Sequence, residues 1–316
     1  MSEADPIDAV YTWVDGSRAD YLEVVNRHAA IPRDVNPERF RDALEMLRFS
    51  LRSLEMHAPW IRNVYLVTCR PQVPDWVRRD HPRLRIVHHD QIIPDDGTLP
   101  TFNSNVIETF LHRLPGVSER MLYLNDDYLF GAPVSRDDFF APDGRLRVFG
   151  TLVGEHFRSR IVEHQILSFG LVEHGPILID RQEWAAAMEA APEIRESRTH
   201  RFRRPDDIRP ERLYRWHLLT HARDRSVPEP FWTYLPKSAF HKIEAGVARQ
   251  RRALAKIDRR RPKFICLNDD LGDQPDREVI AEVRSFLLKL FPRPSSYELT
   301  SGRPGDSATA NPSENR

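Results

Sequence analysis

Four short apolar runs in the first half of the chain set the tightest limit on its fold. "DAVYTWVDG" (8–16), "NVYLVTC" (63–69), "RLRIVHH" (83–89) and "RMLYLND" (120–126) each read as a strand, rich in β-branched and aromatic residues. Helical patterns stand between them. "FRDALEMLRFSLRSLEMHAP" (40–59) places Leu44, Leu47, Leu51 and Leu54 on one face, and Pro59 closes it. "SNVIETFLHRL" (104–114) reads as a helix with Ser104 as a candidate N-cap. Strand–helix alternation of this kind predicts an α/β sheet with helices on its faces. In open sheets of this class ligands bind beyond the carboxyl ends of strands, where Asp15, Thr68 and Asp126 fall.

The second half is less regular. "RQEWAAAMEAA" (181–191), "DIRPERLYRWHLLTHA" (207–222, with Pro210 in its first turn) and "REVIAEVRSFLLKLFP" (277–292) are expected helices, and "KFICLND" (263–269) one more strand. The segment 301–316 is poor in apolar residues and is expected to be disordered. A chain of 316 residues that is 40% hydrophobic and 30% charged reads as a soluble globular protein with one large core or two smaller ones. Its formal net charge of zero argues against a dedicated nucleic-acid binder. Cys69 and Cys266 each lie in an apolar run and are expected to be two buried thiols. No apolar stretch reaches the roughly 18 residues that span a bilayer, and the acidic start "MSEADPIDAV" lacks the layout of a signal peptide. The expected location is the cytoplasm. Two basic clusters stand out: 249–263 reads as a solvated helix face, while 195–207 is open between an anion site and ordinary surface.

The residues with chemistry to offer sit at the strand ends. In "LNDD", Asp126 and Asp127 repel each other unless something cationic lies between them, and Mg²⁺ or Mn²⁺ takes such oxygen ligands. The alternative is that Asp127 caps a turn and Asp126 faces solvent. In "YTWVDG", Tyr11 and Trp13 suit a stacked uracil and Asp15 its ribose, or both rings belong to the core and Asp15-Gly16 is a turn. Asn103, Ser104 and Asn105 open a helix and suit either a phosphate or simple capping. His174 could accept a proton from an attacking hydroxyl, or be structural. "CLNDD" (266–270) repeats the strand-then-acid pattern. Missing are a Gly-rich dinucleotide loop, a Walker lysine loop, a paired-cysteine zinc site, His-Glu-x-x-His and Gly-x-Ser-x-Gly, which weakens readings as dehydrogenase, P-loop kinase, zinc hydrolase or serine hydrolase.

Four blocks in order give the chain a resemblance to the Stealth family. They are "IDAVYTWVDGS" (7–17), the long block from "RFRDALEMLRF" at residue 39 through "LPTFNSNVIETFLHRLPGVSERMLYLNDDYLFG" (99–131), "EHGPILID" with "THRFRRPDD" (173–207), and "KFICLNDD" ending in "FPRPSSYEL" (263–299). That family includes bacterial capsule hexose-1-phosphate transferases and the catalytic subunit of the animal lysosomal-enzyme N-acetylglucosamine-1-phosphotransferase. The chain lacks the large inserted modules of the animal members, and its length suits a compact bacterial enzyme acting on a glycan.

The resemblance implies a glycosyltransferase-A-like, Rossmann-like mixed sheet with helices on both faces and a more helical second half. A single catalytic domain over 7–299 is expected, with a nucleotide-sugar half (7–150), an acceptor and phosphate half (151–299) and disordered ends at 1–6 and 300–316. The implied reaction moves a sugar 1-phosphate from a UDP-sugar to a glycan or phosphoglycan hydroxyl and releases UMP, at the inner face of the membrane or in the cytoplasm. By the same resemblance Tyr11, Trp13, Val14 and Asp15 lie beside the uridine. Asn103, Ser104 and Asp127 approach the diphosphate, and Asp127 with Asp126 holds Mg²⁺ or Mn²⁺. Arg203 and Arg204 grip phosphate, Asn268 completes the site, and His174 or Asp15 takes the acceptor proton. A UDP-releasing glycosyltransferase and a non-catalytic UDP-sugar binder are the alternatives.

Overall fold

A computed structural model of the chain describes residues 5–30, 41–95, 97–149, 174–272 and 274–299. The expected disordered stretches, apart from residues 5 and 6, and the expected division near residue 150 lie outside the described residues.

The main sheet has five strands. β1 (Ile7–Thr12), β2 (Val64–Thr68), β3 (Leu84–His88) and β4 (Arg120–Asn125) run parallel. After β5 (Tyr128–Phe130) and β6 (Leu146–Phe149) comes β7 (Ile177–Asp180), which pairs antiparallel with β4. The resulting order is β3-β2-β1-β4-β7. β2 is buried along its whole length and β1 along all but its last residue, as near-continuous apolar runs are in a sheet covered on both sides. The fold is therefore α/β with a mixed sheet, as the alternation predicts.

Two smaller sheets complete the architecture. β8 (Ser226–Glu229) runs parallel to β6. β9 (Ser238–Ile243) and β10 (Phe264–Asp269) join β5 in the order β5-β10-β9. Strands from both sides of residue 150 thus share all three sheets.

The helix Met46–His57 is the partition between two cores. Of its predicted stripe, Leu47, Leu51 and Leu54 face the main sheet, while Leu44 lies before the helix begins and joins Met46 and Phe49 in the core under β5, β9 and β10. A helix apolar on more than one side must be buried all round. Two serines allow the close approach: the Phe130 amide donates to Ser53 Oγ at 3.0 Å, and Ser50 Oγ shares a 3.0 Å hydrogen bond with the Tyr11 hydroxyl. The same helix anchors the end of the described chain. Arg52 donates twice to the Glu298 carboxylate, each at 2.7 Å, and once to the Phe291 carbonyl.

Several local expectations shift. The helix expected over 104–114 stops at Glu108, a single 3₁₀ turn follows at Leu111–Arg113, and its N-cap is Asn103, not Ser104. Asn103 has the extended backbone a cap requires, and its Oδ1 accepts from the Asn105 amide at 3.1 Å. The basic cluster 249–263 is largely the helix Val247–Arg260, with Arg249, Arg251, Arg252 and Lys256 exposed as expected. Both cysteines are free thiols, Cys266 buried and Cys69 half-buried.

Candidate functional site

β1 and β4 end level with each other, Thr12 opposite Asn125. The segments Trp13–Asp15 and Asp126–Asp127 therefore leave the sheet side by side, beyond the carboxyl ends of parallel strands. β7 runs the other way, with Ile177 opposite Tyr123, and continuing that register brings His174 to the level of Asp126. β5 begins at Tyr128, paired with Cys266, so Asp127 lies in a tight turn against β10. Three remote stretches of sequence meet here because of strand pairing alone.

Asp127 is the centre of this meeting. Its Oδ2 accepts from Cys266 Sγ at 3.3 Å and Asn268 Nδ2 at 3.5 Å. Its Oδ1 is buried and, among the described residues, has no hydrogen-bond partner. Burial pushes the Asp127 carboxyl up, opposed by Cys266, Asn268 and the nearby His174. Burial raises Asp126 further, and repulsion from Asp127 and then Asp42 adds to it. Asp42 is pushed up to about 7 by burial, against hydrogen bonds from Trp13 Nε1 and the Met46 amide, both 3.1 Å. Adjacent carboxyls, one with an unpartnered buried oxygen, form a donor set suited to a hard divalent cation that keeps several waters and binds only one or two protein carboxylates. Among the described residues no group of three or more His, Cys, Asp or Glu side chains is placed to hold a metal, so such an ion would complete its shell from solvent and ligand oxygens.

His174 takes a left-handed backbone conformation, φ 57°, and its ring stacks on Phe240 with centroids 4.5 Å apart. The next residue has no room for a side chain, since a Cβ on Gly175 would overlap the Tyr234 hydroxyl. Among the described residues that hydroxyl is buried without a partner. Gly175→Ala is expected to cost about 1–3 kcal/mol by overpacking against the Tyr234 hydroxyl. Adding Tyr234→Phe should recover part of the stability, because the atom in the way is the hydroxyl oxygen. Denaturant unfolding of the single and double variants measures both.

The arginine-rich loop is held from beneath. Asn103 is fully buried, and its Nδ2 donates to the His200 carbonyl at 3.1 Å and to Asp207 Oδ2 at 2.7 Å. Asp207 also pairs with His200 Nδ1 at 2.6 Å and accepts from the Arg204 amide at 2.7 Å. Arg203 is exposed and reaches back to the Ser104 hydroxyl and to Asn105 Oδ1. Arg203, Arg204 and Ser104 thus stand together at one helix start. Asn103 positions that loop with every polar atom of its side chain committed, instead of presenting its amide to a ligand.

The aromatic strand likewise divides. Tyr11 is wholly buried against Ser50 and lies in the core, and Trp13 is buried with its indole N–H on Asp42. This is the core alternative for both rings. Val14 packs beside Tyr21, Val25 and Phe102. Asp15 forms a turn, its Oδ1 accepting from the Ser17 amide at 2.9 Å and hydroxyl at 2.6 Å, while Gln72 holds its main chain through both amide atoms.

Glu108, Asp42, Cys266 and Tyr123 were not singled out by the motif reading. Glu108 is buried, and burial and the Glu211 charge push its carboxyl up to about 8 against the pull of Arg203. The Tyr123 hydroxyl lies between that carboxyl, Thr12 Oγ1 at 3.0 Å and Asn125 Oδ1 at 2.8 Å. The available signal for Glu108 was a charge directly after the apolar pair Val106-Ile107 in "NSNVIE". For Cys266 the signal was its place at the head of "CLNDD", the repeated strand-then-acid pattern.

Comparison with known proteins bears on what this arrangement does. The description "Stealth protein" fits three stretches: conserved region 1 at residues 5–23, conserved region 2 at 39–148 and conserved region 4 at 255–308. An exopolysaccharide phosphotransferase of Streptomyces coelicolor is 35% identical over 323 residues, covering 93% of this chain and 52% of its own. The capsular polysaccharide phosphotransferase SacB of Neisseria meningitidis serogroup A is 30% identical over 321 residues, covering 92% of this chain and 57% of its own. The chain spans about half the length of the curated relatives it matches. Among solved structures, the galactosyltransferase LgtC with donor and acceptor sugar analogues superposes with a TM-score of 0.47 at 12% identity, over 90% of this chain and 95% of that one.

Proposed function

The chain belongs to the Stealth family, and from that premise we propose that it transfers a hexose or N-acetylhexosamine 1-phosphate from a UDP-sugar to a glycan hydroxyl. The products are a phosphodiester and UMP, and the setting is the synthesis of a capsule or other cell-surface polysaccharide. One observation carries this reading: a strand-tip carboxyl pair whose Asp127 Oδ1 is buried without a partner, next to His174. Repulsion of this kind raises the energy of the fold, and a site for a cation-bound diphosphate is the chemistry that makes use of it.

Asp127 and Asp126 would hold Mg²⁺ or Mn²⁺, which supplies positive charge against the diphosphate when bound. Arg203, its guanidinium oriented by Ser104 and Asn105, grips phosphoryl oxygens, with Arg204 beside it. His174 accepts the proton of the acceptor hydroxyl as that oxygen attacks the β-phosphorus in line. The bond from the β-phosphorus to the bridging oxygen breaks, and UMP carries that oxygen away. His174 is preferred to Asp15 in this role because Asp15 Oδ1 is engaged by Ser17, while the β7 register sets His174 beside the acidic tip. Positioning and charge account for most catalysis of this kind, and base assistance is typically worth about 10²–10⁴-fold.

No described helix is long and apolar enough to cross a membrane. The test of the reaction is the nucleotide product. Incubated with Mg²⁺ or Mn²⁺, a panel of UDP-sugars and capsule-type oligosaccharides, the protein should release UMP in proportion to phosphodiester formed. Release of UDP would replace this reading with a glycosyltransferase. Tight UDP-sugar binding without turnover on any acceptor would replace it with a sugar-nucleotide binder.

A further inference from the structure

The three-stranded sheet has one face packed on helices and one turned toward the acidic tip. Leu129, Ile265, Leu267 and Ile243 belong to the core with the helices Val247–Arg260 and Arg277–Leu290. The alternate residues point the other way. Tyr128, Cys266 and Phe240 are aligned across the strands, and Asn268 is aligned with Lys242. Since Cys266 and Asn268 both donate to Asp127, Phe240 and Lys242 occupy the continuation of the same face. β9 is the outer strand, and exposed edges normally carry charge. Here Phe240 is 48% exposed, with its ring stacked on His174 at an interplanar angle of 26°.

We propose that Phe240 is the stacking wall for the acceptor sugar, fixing specificity beside the group that receives the hydroxyl proton. The proposal rests on the reaction assigned above. An aromatic face among hydrogen-bonding groups suits a pyranose ring, whose C–H faces are apolar and whose rim is polar. Lys242, Asn268 and His174 are the polar groups at hand. A protein or lipid partner would call for a contiguous apolar patch in their place. The acceptor sugar, as opposed to the donor sugar, follows from the contact with His174.

The experiment compares wild type, Phe240→Ala and Phe240→Trp under saturating UDP-sugar with varied oligosaccharide acceptor, and then with the roles reversed. Phe240→Ala should raise the acceptor KM about three- to tenfold while leaving the donor KM unchanged, and Phe240→Trp should restore it. A fall in kcat at unchanged acceptor KM, alike in both variants, would overturn the proposal by making Phe240 only a prop for His174. So would a raised donor KM, or no change at all. Thermal unfolding of the variants checks that this exposed side chain leaves the fold intact. If UDP is the product, the assigned reaction fails but the acceptor KM comparison still decides the role of Phe240. If wild type turns over no acceptor, saturation-transfer NMR with glucose and N-acetylhexosamine hexamers takes its place. Signal lost in Phe240→Ala supports the wall; signal equal in both proteins, or none in wild type, removes it.

Discussion

Asp127→Asn is expected to abolish most transfer activity and at the same time to stabilise the protein in the absence of divalent cations. The loss in turnover should be at least about 10²–10³-fold, the scale for removing one preorganised electrostatic contact to the transferring group. The gain in stability follows from the raised carboxyls. Asp42, Asp126 and Asp127 all ionise at higher pH in the fold than their ordinary value of 3.8. In that interval the folded chain holds protons that the unfolded chain has released, so stability falls as pH rises, by up to about 1.4 kcal/mol per pH unit for each such group. For Asp42 the window runs from 3.8 to about 7. Asn at position 127 removes one charge and relieves Asp126, so its melting temperature should fall less between about pH 5.5 and about pH 8 than that of wild type. Mn²⁺ or Mg²⁺ should raise the wild-type melting temperature at the higher pH and leave Asp127→Asn nearly unchanged. Identical pH and cation responses in the two proteins would remove the acidic tip from the site.

Arg203→Ala should lower kcat over KM for the donor by about 10²–10³-fold, and Arg203→Lys should recover only part, because an ammonium keeps the charge without the planar fork. Arg251→Ala serves as the control. Arg251 is exposed and pairs with Glu282 at 2.8 Å on the far helices, a solvent-screened ion pair of no consequence for phosphate. Equal turnover in the Arg203 and Arg251 variants would contradict the assignment of the arginine loop. The comparison is clean because, among the described residues, Arg203 hydrogen-bonds at the helix start to Ser104 and Asn105 and its charge acts on Glu108, while the loop's shape is set by Asn103, Asp207 and His200.

The parallel part of the sheet was legible because long apolar runs have one stable place, between helices. The strands β2 to β4 fall within the predicted runs and β1 begins one residue before its own; of the predicted stripe, Leu47, Leu51 and Leu54 face the core that the spacing implies, while Leu44 precedes the helix and joins the other core. Illegible were β5, β6, β7, β8 and β9, of three, four, four, four and six residues, whose burial is decided by partners far away in sequence. The same reason explains the mixed outcome at the site. A motif reading selects Asp126, Asp127, His174 and Arg203 by residue type. It does not reveal that Asn103 is spent on Asp207, that Tyr11 is spent on Ser50, or that Asp42 is drawn under Trp13. Those facts belong to hydrogen-bond partners, and partners are chosen by the fold.

The grip of Cys266 on Asp127 spans 139 positions of sequence. During synthesis the acidic turn leaves the ribosome well ahead of the strand that will shelter it. In the interval both aspartates stand in water, fully ionised and indifferent to one another. Only when β10 slides in beside β5 are they forced into the electrostatic conflict that makes them useful. The proposed reaction therefore requires β10 in place, and a nascent chain that has not yet made that strand holds both aspartates without their shelter.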